Sequence, residues 1–182
     1  MKRSEQNPAY QWDLRAIYPD TTAWEAAMQA AAEAIDALAS VPGTLGTSKK
    51  SLKAGLDAVT DAAQKTEIPY IYAFLKKTED GSVPLNQEME ARANSLSVRF
   101  AAATSFLSPE ILAIPAEMLT EWMADDTLAT YRHTVDDIVR TRAHTLSAER
   151  EQMLALLGDA ASMPKSAYEM LTDVDLRFPK VK

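Results

Sequence analysis

The chain has 182 residues, no cysteine and a net charge of −7. Zero Cys excludes disulfides and thiolate metal sites, and an acidic chain is repelled by phosphate backbones, so no nucleic-acid partner is expected. A chain this long buries roughly 70% of its unfolded surface and needs no staple, and no apolar stretch approaches the roughly 20 residues that span a bilayer.

Lys2-Arg3 leads into Ser4-Glu5-Gln6-Asn7 rather than an apolar run, so no signal peptide is expected. Tyr10, Trp12, Leu14, Ile17 and Tyr18 make an aromatic opening segment that reads as pinned across a helical bundle. Pro19-Asp20 turns the chain. Thr22 with Glu25 reads as a capping box for a helix whose face is Trp24, Met28, Ala31, Ile35 and Leu38. Pro42-Gly43 stops it.

Ser48 is the predicted cap of the next helix, with Leu52, Leu56, Val59 and Ala63 on its face. Pro69 predicts a kink or short break near Thr66, after which helix resumes through Tyr70–Leu75. Asp80-Gly81 breaks it, and Pro84 opens a long helix at a position where a missing N–H costs little. That helix organises the chain. Leu85, Met89, Ala93, Leu96, Phe100, Ala103 and Leu107 trace one face in steps of four and three, and Ser108-Pro109 is expected to end it.

A short helical turn follows over Ile111–Ile114 and another over Pro115–Met123. Asp125-Asp126-Thr127 opens a helix to about Arg140, with Leu128, Tyr131, Val135, Ile138 and Val139 on its buried side. Ser147 is the expected cap of a helix through Leu157 that Gly158 closes, and Pro164 starts a last helix carrying Tyr168 and Leu171. Leu176-Arg177-Phe178 then alternates like a strand with no partner strand in the sequence, so residues 176–182 read as the start of a truncated strand. The expected fold is all-α: an antiparallel multi-helix bundle of about seven to nine helices with a short extended C-terminal segment. It fills one domain over 1–182, with possible sub-units 1–108 and 109–175.

Candidate chemistry is sparse. His133 and Asp137 share a helix face at ligand spacing, but a metal needs a third and fourth ligand that the pattern does not supply. His144 stands in a connector with no accompanying nucleophile. His-Glu-x-x-His is absent, and no Glu lies three residues before either His, which removes the Glu-x-x-His pairs of a metal-carboxylate bundle. Asp125-Asp126, Asp136-Asp137 and Asp173 with Asp175 read as helix ends or solvated faces rather than acid–base pairs. Tyr70, Tyr72, Phe74, Phe100 and Phe106 read as core at helical spacing rather than a ligand groove. No catalytic, cofactor-binding or metal-ligating residue is assigned.

Several short segments nevertheless form a recognisable series. Trp12-Asp13-Leu14, Ile17-Tyr18-Pro19 and Trp24-Glu25 open it, and Tyr70-Ile71-Tyr72-Ala73 continues it. Ser105-Phe106-Leu107 with Pro109-Glu110-Ile111-Leu112 follows, then Leu128 with Tyr131-Arg132. His144-Thr145-Leu146-Ser147 with Glu149 and Glu151, and Leu171-Thr172-Asp173 with Asp175-Leu176 and Phe178-Pro179, close it. In order and spacing the series resembles the N-terminal region of oligoendopeptidase F, of the thimet-oligopeptidase-like zinc metallopeptidases.

The resemblance implies a largely helical, bowl- or clam-like parent enzyme that cleaves short peptides in a deep channel and excludes folded proteins by geometry. Zinc would polarise the scissile carbonyl and activate water there, with Glu as base. The family's zinc ligands, general base and substrate-orienting His and Tyr lie downstream of any position in this sequence, so none is carried over. The implied partners are the missing catalytic domain and, for the parent, short peptides. The implied compartment is the cytoplasm. Self-association through the face left exposed is expected as a homodimer. The competing reading is a stand-alone helical interaction module with an apolar groove for a partner helix.

Overall fold

The computed structural model describes residues 7–10, 12–142 and 146–176. The described residues are mostly helical and contain no strand, so the all-α class holds.

The first helix, α1 (Thr21–Ala37), is capped by Asp20, whose side chain accepts from the Ala23 N–H at 2.9 Å. The expected Thr22–Glu25 capping box is therefore displaced. Thr22 already lies inside the helix, the extended Asp20 takes the free amide, and Glu25 is engaged elsewhere.

Helix α2 runs unbroken from Lys49 to Glu79, with Ser48 accepting from the Ser51 N–H at 3.1 Å as expected. Of the predicted kink or short break near Thr66, the break is absent. Pro69 removes one backbone donor, but its ring is wholly buried and its carbonyl accepts the indole N–H of Trp24 at 2.9 Å. Tertiary packing thus holds a residue that local propensity would expel.

Helix α3 (Pro84–Thr104) begins with Pro84 in its first turn. Met89, Ala93 and Leu96 are buried on its face, whereas Leu85 at its start is 50% exposed. It ends at Thr104, earlier than the apolar stripe implied, because hydroxyls take over the last carbonyls. Thr104 Oγ1 donates to Phe100 C=O at 2.9 Å and Ser105 Oγ to Ala102 C=O at 2.9 Å. Leu107 and Ser108-Pro109 belong to the next helix, α4 (Leu107–Ala113).

Pairwise contacts fix the topology of this three-helix layer. Trp24 near the start of α1 meets Pro69 late in α2, and Lys77 at the end of α2 pairs with Glu90 early in α3 at 3.6 Å. Glu25 pairs with Arg92 and Asp36 with Arg99. Hence α1 and α3 run parallel, and both oppose α2. Two buried clusters line the layer: Leu14, Trp24, Tyr72, Ala73, Met89 and Ala93 in one, Ala31, Ile35 and Leu96 in the other.

The start of α2 is closed by α4, α5 (Ala116–Met123), a 3-10 segment Asp126–Tyr131 and α6 (Arg132–Arg140). The predicted single helix from Asp125 to Arg140 is split at Tyr131, whose hydroxyl donates to Asp57 on α2 at 2.7 Å. Leu45, Leu52 and Leu56 pack there with Phe106, Ile111, Leu119, Leu128 and Val135. Two glycines are required. Gly43 has φ +83° in the turn after α1, and a Cβ on Gly55 would stand 2.2 Å from Leu45 Cδ2. Glu110 ties the turn down, accepting from the Gly43 N–H at 2.5 Å and the Leu45 N–H at 3.4 Å.

The chain finishes with α7 (Ala148–Leu156) and α8 (Gly158–Glu169), both lying on α3. Gly158 begins α8 instead of closing α7, and Pro164 lies inside α8 instead of starting it. One π turn, Met170–Asp175, follows, and Leu176 turns extended. Arg177 onward, and with it most of the expected strand, lies outside the described residues.

Candidate functional site

His133 projects from α6 into solvent, 86% exposed, with Nε2 3.7 Å from the Asp137 carboxylate. Asp137 also pairs with Arg140, three residues on. No other ligand type converges on them, and no group of three or more His, Cys, Asp or Glu side chains able to hold a metal exists among the described residues. Three or four converging donors are the minimum for zinc, so the donor set present does not fit it. His144 lies outside the described residues.

The carboxylate pairs act as caps and ion-pair partners. Asp125 accepts from the Thr127 N–H at 2.9 Å and its hydroxyl at 2.7 Å, and meets Lys49 of α2. The Lys49 ammonium, then the two Thr127 donors, hold its carboxyl well below the usual carboxylate range. Asp126 pairs with Arg132 at 3.3 Å. The Arg132 guanidinium also donates to the carbonyls of Met123 and Ala124 at 2.8 and 3.1 Å, capping the end of α5. Asp136 flanks a small cleft between α5 and α6, and Asp173 accepts from the Thr172 hydroxyl at 3.0 Å. Neither arrangement pairs two buried acids.

Of the aromatic candidates, Tyr72 and Phe106 are buried core. Tyr18 packs edge-on against Tyr72 with ring centroids 5.3 Å apart, and burial raises both phenols above their ordinary value. Phe100 is half-buried against Ala31, Ile35 and Leu96. Tyr70 and Phe74 stack at 6.3 Å on α2, with Phe74 partly open to solvent.

Two features were not assigned from the sequence. The first is a clasp between α1 and α3. Arg92 donates to Glu25 at 2.7 and 2.5 Å while its guanidinium lies 5.0 Å from the Trp24 ring centroid. The hydrogen bond lowers the Glu25 pKa and raises that of Arg92. A charge pair flanking two apolar stripes was the available signal, but it is unreadable until the helices are known to run parallel.

The second is an apolar surface on α7 and α8. Met153, Leu154, Leu156, Leu157, Met163 and Tyr168 are all exposed, and no described residue from 146 to 176 is buried. Beneath α7 lies an open cleft of about 670 Å³, lined by Leu38, Pro42, Ala103 and Phe106 opposite Gln152 and Leu156. The arrangement offers packing surface.

The Oligopeptidase F family model matches residues 110–178. The Lactococcus lactis subsp. lactis oligoendopeptidase F homolog is 29% identical over 182 residues, covering 99% of this chain and 30% of that protein. Oligopeptidase PepF of Bacillus subtilis is 29% identical over 99% of this chain and 27% of its own length. The crystal structure of oligoendopeptidase-F from Enterococcus faecium superposes with TM-score 0.79 at 30% identity, over 85% of this chain and 30% of that one.

The chain is similar in sequence and fold to part of oligoendopeptidase F, consistent with its N-terminal region. It spans about three-tenths of the length of the oligoendopeptidase F relatives it matches. A putative peptidase from Chlamydophila abortus, 22% identical with TM-score 0.66, shares the fold. None of the described helices is long and apolar enough to cross a membrane.

Proposed function

We propose that this chain is the N-terminal, non-catalytic helical part of an oligoendopeptidase F-like zinc metalloendopeptidase that hydrolyses short peptides in the cytoplasm. Its helices form part of the channel wall and limit substrate size. The observation that carries this reading is the match itself, which takes in 99% of this chain and only 30% of the relative. The lack of a fitting donor set among the described residues supports placing the zinc on residues beyond this chain. Its partner is then the catalytic remainder of the same polypeptide.

The isolated 182-residue chain is expected to show neither tight zinc binding by calorimetry nor hydrolysis of short peptides. Zinc-dependent peptide cleavage by the purified chain contradicts the reading. The coding frame supplies an independent check. Continuation beyond Lys182 into a His-Glu-x-x-His helix supports it, and a natural stop there favours a stand-alone interaction module instead.

A further inference from the structure

Residues 146–176 make two helices and a π turn, yet none of their described side chains is buried. Helices of nine and twelve residues are marginal in water by themselves, and their order comes from packing an apolar face. Here α3 supplies one wall only. On the open side Met153, Leu154, Leu157, Met163 and Tyr168 stand 54–68% exposed. From Gln152 to Pro164 the sequence carries a single charge, Asp159. A run so apolar and so weakly charged is suited to a desolvating protein surface and offers nothing to an ionic ligand. The cleft beneath α7 adds an unfilled seam beside the same helix.

The length of the relatives offers an occupant for this face. About seven-tenths of the Lactococcus lactis relative lies outside the match, and the family match over 110–178 includes all of α7 and α8. We propose that the outward apolar face of α7–α8 is the seat on which the C-terminal remainder of an oligoendopeptidase F-length polypeptide packs, through an uncharged apolar surface of its own. This rests on the N-terminal reading above and specifies where the two parts meet. Self-pairing of the isolated chain through the same face is then a substitute contact, displaced when the remainder is present.

The test is hydrogen exchange by mass spectrometry together with sedimentation. The purified 182-residue chain is measured alone, dilute and concentrated, and then with the remainder of the Lactococcus lactis relative supplied in trans. The expected result is fast exchange over 148–176 in the dilute chain against slow exchange in α1–α3. Addition of the remainder should yield a one-to-one complex, dissolve any dimer and slow exchange over 148–176 at least about tenfold. The double variant Leu154→Glu, Leu157→Glu should lose that protection while α1–α3 keep theirs, because neither side chain contributes to the buried core.

Four results overturn the proposal: a dimer that survives excess remainder, strong protection of 148–176 in the dilute monomer, a complex that protects other residues, or no complex at all. None of these touches the N-terminal reading, which stands or falls on the zinc and peptide assays of the isolated chain.

Discussion

Trp24→Phe probes how α2 accommodates a proline in its interior. Trp24 is fully buried, donates its indole N–H to the Pro69 carbonyl at 2.9 Å and carries the Arg92 guanidinium over its ring. Phenylalanine keeps an aromatic ring but removes the donor and part of the bicyclic surface. The lost hydrogen bond is worth about 1 kcal/mol. The smaller ring leaves a cavity costing roughly 1–2 kcal/mol, at the lower end for large-to-small changes. The sum of about 2–3 kcal/mol lowers the melting temperature by roughly 4–12 °C for a chain of this size. Urea and thermal unfolding followed by circular dichroism give both numbers. Trp12→Phe serves as the surface control, since Trp12 is 60% exposed. A Trp24→Phe protein within about 0.5 kcal/mol of the parent refutes the claim that this contact fixes Pro69 inside the helix.

Other substitutions test other joints of the fold. Gly55→Ala drives a Cβ against Leu45 Cδ2, a fully buried side chain, and should cost about 1–3 kcal/mol in urea unfolding. Ser48→Ala removes the cap of α2 and should cost about 1 kcal/mol; no measurable loss would mean that the Ser51 amide finds another acceptor. Glu25 sits below its ordinary 4.5, chiefly through its hydrogen bond to Arg92. Its folded value is depressed, so its stabilisation is present above pH 4.5 and is lost as pH falls through the lowered folded value. Glu25→Gln should therefore flatten the acid limb of the stability–pH curve, by under about 1 kcal/mol because the pair is nearly half exposed. Asp57, lowered first by Lys53 and then by Tyr131, predicts the same sign for Asp57→Asn.

Much of the helical frame was legible because local rules and global packing agree. Ser48 and Pro84 start their helices where capping and first-turn rules put them. The Met89, Ala93 and Leu96 stripe is buried as its period required. Disagreement arises where tertiary contacts outbid local preference. Pro69 stays helical because Trp24 and the surrounding core hold it. Tyr131 splits the Asp125–Arg140 segment by reaching Asp57, and α7 runs almost directly into α8 across Gly158.

For the candidate site, the sequence put His133 and Asp137 on one helix face, and the structure places that imidazole beside that carboxylate at the surface. It gave no warning of the bare face on α7–α8. Met153, Leu154 and Leu157 are apolar at helical spacing, the same signal as a core stripe, and exposure is invisible to periodicity.

By itself, then, the sequence determined an all-α chain and its main helical stretches, because helix periodicity, capping and turn chemistry act over a few residues; its likeness to a peptidase's N-terminal region came separately, from the order of its short motifs. Only the tertiary structure decided that α1 and α3 run parallel, which glycine must remain bare beside Leu45, and which apolar stripe is left uncovered. Those outcomes depend on side chains far apart in the chain competing for the same space, and short-range pattern carries no record of that competition.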